Sequence, residues 1–123
     1  MKKVLIMDED YEVCEKLVSL LEGKGFDISY VRNGDEGLRR ARGEKPDLLI
    51  LDAALPGTDG FEICRQVKRD QARSAPRVIL MTDVVATDDA VRARRAGADD
   101  YCVKTQALSH LVEAVRQVFQ HGD

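Results

Sequence analysis

The sequence predicts an α/β protein built on one parallel five-stranded sheet. Three observations predict it. Short apolar runs and helical stretches alternate five times along 123 residues, and strict β-α alternation implies parallel strands with helices on both faces. The runs "VLIM" (4–7), "DLLIL" (47–51) and "RVILM" (77–81) are almost wholly apolar, as strands buried on both faces must be. The runs "DISYV" (27–31) and "DYCV" (100–103) are mixed or shorter, as edge strands are. Those two therefore lie outside, which fits the order 2-1-3-4-5 of the flavodoxin-like (βα)5 three-layer sandwich.

Each element has a local reason. After the first strand, Val13, Leu17, Leu20 and Leu21 recur at helical spacing, and Gly23 and Gly25 can end that helix. "NGDEGLRRAR" (33–42) reads as a turn and a short helix. "DGFEICRQVKRD" (59–70) sets Phe61, Cys64 and Val67 on one side of a third helix. Pro76 introduces the fourth strand. "TDDAVRARRAGA" (87–98) opens on Thr87 as a cap, with Asp88 and Asp89 at the positive end of the helix dipole. Its apolar residues are mostly alanines, so it should be lightly held. Leu108, Leu111, Val112, Val115, Val118 and Phe119 mark the clearest amphipathic helix. No linker, repeat or low-complexity stretch divides the chain, so residues 1–123 are expected to form a single domain without an output domain.

Composition narrows the function classes. Net charge is −3, with 33% charged and 44% hydrophobic residues. That balance argues against charge-driven nucleic-acid binding. No apolar run approaches the ~20 residues of a membrane span, and "MKKVLIMDED" is too short in its apolar part for a signal peptide. Cys14, Cys64 and Cys102 are odd in number and lack metal-ligand spacing, and His110 and His121 form no cluster with them. A reducing cytoplasm and core-type cysteines follow.

In such a sheet, sites form beyond the carboxyl ends of the strands. The first strand runs into Asp8, Glu9 and Asp10, the third ends in Asp52, the fourth in Thr82 and Asp83, and the fifth in Lys104. Clustered carboxylates invite a hard divalent cation, and Mg²⁺ is commonly held by one or two carboxylates and a phosphate. A carboxylate is also a competent nucleophile toward phosphorus.

With "VLIMDED", "PDLLILDAALPGTDGFEIC", "VILMT" and "AGADDYCVK" in this order, the chain resembles the receiver domains of two-component response regulators over essentially its whole length. The resemblance implies a signalling domain rather than an enzyme in its own right, one able to catalyse its own phosphorylation and dephosphorylation. It implies Asp52 as phosphoacceptor and Mg²⁺ as cofactor. Asp8 and Glu9 would be the acidic pair, with Glu9 favoured as the direct ligand, joined by Asp52 and the backbone carbonyl of Ala54. Thr82 and Lys104 would contact the phosphoryl oxygens, and Tyr101 would swing inward as Thr82 moves. A histidine kinase or histidine phosphotransfer protein would be the donor and an unidentified protein the output partner, with no direct nucleic-acid or membrane contact. Receivers usually signal through the face of helix 4, strand 5 and helix 5, and Arg92, Arg94 and Arg95 are either part of it or ordinary solvated charge.

Two residues depart from the family pattern. Asp83 stands where a small residue is usual, and its charge disfavours a neighbouring anion. Thr105 replaces a proline that often follows a cis bond. A cis bond without proline costs roughly 3–4 kcal/mol, so a trans Lys104–Thr105 bond is expected. With Ala107 at the usual capping position, Thr105 is an earlier candidate cap. These departures keep a second reading alive, a degenerate receiver acting as a phosphorylation-independent interaction module. A remote third is a haloacid dehalogenase-like phosphohydrolase, with Asp8 as nucleophile and Asp10 as general acid. Tyr11 and Glu12 replace the glycine and threonine that family needs, and Asp52 would have no role.

Overall fold

The computed structural model describes residues 1–70, 75–83, 87–104 and 109–120. The elements run β1 (Lys2–Met7), α1 (Tyr11–Leu21), β2 (Phe26–Val31), α2 (Gly34–Glu44), β3 (Leu48–Asp52), α3 (Gly60–Asp70), β4 (Arg77–Thr82), α4 (Thr87–Ala96), β5 (Asp100–Val103) and α5 (Ser109–Gln120). All pairings are parallel and the order is β2-β1-β3-β4-β5. The predicted architecture is the observed one, with shorter or mixed strands at both edges.

Alternate residues of the central strands feed two separate cores, which is why those strands read as unbroken apolar runs. Leu5, Met7, Leu49, Leu51, Val78 and Leu80 face one core. Val4, Ile6, Leu48, Ile50, Ile79 and Met81 face the other. The first core is closed by residues of α2, α3 and α4, such as Ala41, Ile63 and Ala93. The second is closed by α1 and α5, through Leu17, Leu21, Leu111 and Val115. Right-handed crossovers produce this division: the chain leaves β1 toward β2, then reverses and steps through β3, β4 and β5. The reversal makes β1 and β3 adjacent strands whose connections diverge, and a crevice opens at their carboxyl ends.

In α4, Ala93 and Ala96 are buried while Val91 is exposed, so the buried apolar residues of this helix are alanines. Cys14 and Cys64 are buried, and their thiols donate to the carbonyls of Asp8 and Ala96. Burial pushes the thiol of Cys14 up to about 11, that of Cys64 to about 12 and that of Cys102 to about 11. These are inert packing cysteines.

Candidate functional site

Register brings four strand ends to one level. Met7 lies opposite Leu51, Asp52 opposite Met81, and Thr82 opposite Val103. The next residues of β1 and β5, Asp8 and Lys104, therefore flank Asp52 from either side. Asp8 is fully buried, and Asp52 and Thr82 are nearly so.

Lys104 is the centre of the group. Its ammonium lies 2.8 Å from Asp8 Oδ2, 3.2 Å from Asp52 Oδ2 and 3.6 Å from Asp83 Oδ1. One cation thus faces two buried carboxylates and one exposed one. Burial alone would discharge Lys104. Its bond to Asp8 and the charges of Asp8 and Asp52 outweigh that, and its pKa is raised. Asp8 moves the other way in energy. Burial raises its pKa and the charge of Asp52 adds to this, against Lys104 and the Asp10 N–H, which favour the carboxylate.

The backbone fixes both carboxylates. Asp8 Oδ1 accepts from Asp10 N–H at 2.8 Å, and Asp52 Oδ1 accepts from Ala54 N–H at 3.1 Å. Asp10 is committed elsewhere: it caps α1, accepting from Glu12 N–H at 2.9 Å. Glu9 is exposed beside the buried pair, with its carbonyl held by Arg32 Nε at 3.2 Å. The loop after Asp52 is pinned at both ends. Gly60 N–H donates to the Ala53 carbonyl at 3.1 Å, and a Cβ on Gly60 would stand 2.4 Å from the Asp52 carbonyl oxygen. Farther along, Gly34 N–H donates to the Pro56 carbonyl at 2.9 Å, and Thr58 Oγ1 donates to Asp35 Oδ1 at 2.6 Å. Gly57, at φ +78°, makes the turn between them.

Of the residues singled out in the sequence, Asp8, Asp52 and Lys104 come together in direct contact. Thr82 stands at the same edge, its carbonyl accepting from Lys104 N–H at 2.6 Å. Tyr101 is half-buried against the first core, with its hydroxyl oxygen buried, so the ring lies inward here. Thr105, Ala107 and the Lys104–Thr105 bond lie outside the described residues, as does the side chain of Thr87. Among the described residues no group of three or more acids, histidines or cysteines forms a ready-made metal cluster. Sequence reasoning did not find the Asp35–Thr58 brace, because it joins the first turn of α2 to the loop before α3, far apart in the chain.

An Mg²⁺ ion suits what is present. Both carboxylates offer oxygen, Asp8 Oδ2 has no hydrogen bond among the described residues beyond its ion pair, and one ammonium does not balance two or three carboxylates. Mg²⁺ retains several waters and needs few protein ligands. Asp8, Asp52, Glu9 at the rim and the Ala54 carbonyl are the groups that would hold it.

The model of the family described as "Response regulator receiver domain" matches residues 4–116. The DNA-binding response regulator MtrA of Mycobacterium tuberculosis is 34% identical over 122 residues, covering 99% of this chain and 52% of MtrA. Protein PilH of Pseudomonas aeruginosa is 35% identical over 118 residues, covering 96% of this chain and 98% of PilH. The chain thus spans about half the length of MtrA and nearly all of PilH. Among solved structures, a CheY-like receiver domain protein from Methanospirillum hungatei superposes with a TM-score of 0.88 at 25% identity, over 98% of this chain and 94% of that one. No described helix is long and apolar enough to cross a membrane. With the sheet order, the acid–lysine cluster at the β1/β3 crevice and a family match spanning both, the chain belongs to the receiver domains of response regulators.

Proposed function

We propose that Asp52 accepts a phosphoryl group in a Mg²⁺-dependent reaction and that the acyl phosphate switches a protein-binding face. The observation that carries this is the contact of Lys104 with both Asp8 and Asp52 at the crevice. Asp52 Oδ2 forms the new O–P bond while the bond from phosphorus to its donor breaks, P–N for a phosphohistidine and P–O for acetyl phosphate. The donor leaves as free imidazole or acetate. Lys104 then turns from the Asp52 carboxylate to a phosphoryl oxygen, a shift its three-carboxylate setting makes short. A bound Mg²⁺ would neutralise charge on the transferring group. Ala54 N–H holds the Asp52 oxygen not engaged in attack, and Thr82, at the end of the adjacent strand, supplies a hydroxyl. Inward packing of Tyr101 is the second half of the switch, and α4, held by two alanines, is the element free to move between them. A histidine kinase or histidine phosphotransfer protein is the donor this chemistry suits.

Intact-mass measurement after acetyl phosphate treatment tests the reading. One phosphoryl group should add in the presence of Mg²⁺ and none with a chelator or in Asp52→Asn. A well-folded protein that never labels would instead favour the phosphorylation-independent interaction module. Label retained in Asp52→Asn would favour Asp8 as nucleophile.

Asp83 should slow the reaction. Its carboxylate shares Lys104 and faces the incoming anion. Asp83→Ala is expected to label roughly two- to fivefold faster, with a smaller gain at high salt, the scale for a solvent-screened charge. Time courses at two ionic strengths would show it, and equal rates would remove Asp83 from the account.

A further inference from the structure

The geometry points to the α3–α4 cleft as a docking surface for an acidic peptide segment of a partner protein. The cleft holds about 270 Å³ and is lined by Asp59, Phe61, Glu62, Arg65, Arg92 and Arg95. The inference goes beyond phosphoryl acceptance at Asp52 and does not depend on it.

Two of the arginines of α4 face the cleft. Arg92 turns toward α3, its guanidinium 4.0 Å over the Phe61 ring. Arg95, one helical turn on, lines the same cleft. Stacking on an aromatic face orients a guanidinium and leaves its edge N–H donors outward. The acids of the cleft are already engaged. Asp59 Oδ1 caps α3 by accepting from Glu62 N–H at 2.9 Å. Glu62 pairs with Arg65 and accepts from Gln66 Nε2 at 2.8 Å. The nearest acid to Arg92 is Asp89, at a loose 3.9 Å, and Arg95 has no ion-pair partner among the described residues. Two planar cations thus stand side by side on one helix face with spare donors, matched to carboxylates in bidentate geometry. The volume lies below the usual range for small-molecule pockets, roughly 300–1,000 Å³, so a peptide presenting two or three side chains fits better than an enclosed ligand. Asp59 and Glu62 at the rim, with a chain net charge of −3, disfavour the continuous phosphate track of a nucleic acid.

The test is fluorescence anisotropy of a fluorescein-labelled hexa-aspartate peptide on the full chain at low salt. Arg92→Glu/Arg95→Glu should weaken binding by at least about tenfold. The charge-matched control Arg39→Glu/Arg116→Glu, on α2 and α5, should leave it within about twofold. Thermal melts followed by circular dichroism confirm that both variants fold, and Arg92→Ala/Arg95→Ala repeats the test without added charge. Equal weakening by the control, or no saturable binding to the wild type, overturns the proposal. A single-stranded oligonucleotide that displaces the peptide and itself depends on Arg92 and Arg95 would reassign the cleft to nucleic acid.

Discussion

Lys104→Met should lose roughly 3 kcal/mol of stability, the low end of the range for breaking a buried ion pair by removing one partner. It should also lose most phosphoryl acceptance. The apolar stem is kept, so packing changes little, while Asp8 and Asp52 are left facing each other without their cation. Mg²⁺ should restore part of the loss, because an ion that binds only the folded state stabilises it by mass action, about 2.7 kcal/mol at a hundredfold excess over Kd. Urea melts with Mg²⁺ and with chelator measure both effects. The sign with pH is fixed by the raised pKa of Lys104. Its contribution is complete below the unfolded lysine value and is lost only as pH climbs through the higher folded value. The gap between wild type and variant should therefore be unchanged through neutral pH on this account and close only in strong alkali. A variant as stable as wild type in chelator would show that the three contacts carry no weight.

Asp8→Asn should do the opposite for stability. Burial raises the pKa of Asp8 in the fold, so the native state binds the proton more tightly than the unfolded chain. Stability contributed by Asp8 therefore falls as pH rises from the ordinary carboxylate range through its folded pKa. At neutral pH the ionised group is a cost, and the neutral isostere removes it. In chelator, the Tm of Asp8→Asn should exceed that of wild type by several degrees, the shift about 1 kcal/mol gives in a domain of this size. The same change should weaken Mg²⁺ by at least about tenfold, read from the Mg²⁺ dependence of Tm. The group that would bind the metal is thus one whose buried charge costs the fold stability, the expected trade between stability and function. A lower Tm for Asp8→Asn would mean that its pairing with Lys104 outweighs its burial.

The sheet was legible because β1, β3 and β4 each hold an unbroken buried apolar run, Val4–Met7, Leu48–Leu51 and Val78–Met81, that stops at a polar residue on the carboxyl side. Asp8, Asp52, Thr82 and Lys104 stood out because polar residues at the ends of such strands need a reason to be there. What the sequence hid depends on side chains and docking rather than on chain order. Asp83 reaches Lys104 from an exposed position, which strand spacing does not encode. Arg92 and Arg95, on α4, line the cleft beside α3 while Ala93 and Ala96 of the same helix are buried, a phase that the arginine spacing alone does not reveal. The brace of Asp35 on Thr58 joins the first turn of α2 to a loop 23 residues on, and neither residue announces the other.

The central claim is that Asp52 is the phosphoacceptor. Borohydride reduction of acetyl phosphate-treated protein, followed by peptide mass mapping, tests it most directly, because hydride converts an acyl phosphate to an alcohol and marks the residue that carried it. The account predicts homoserine at position 52, formed only when Mg²⁺ was present during phosphorylation. Homoserine at position 8, or at no position in a protein shown to be folded, would contradict it.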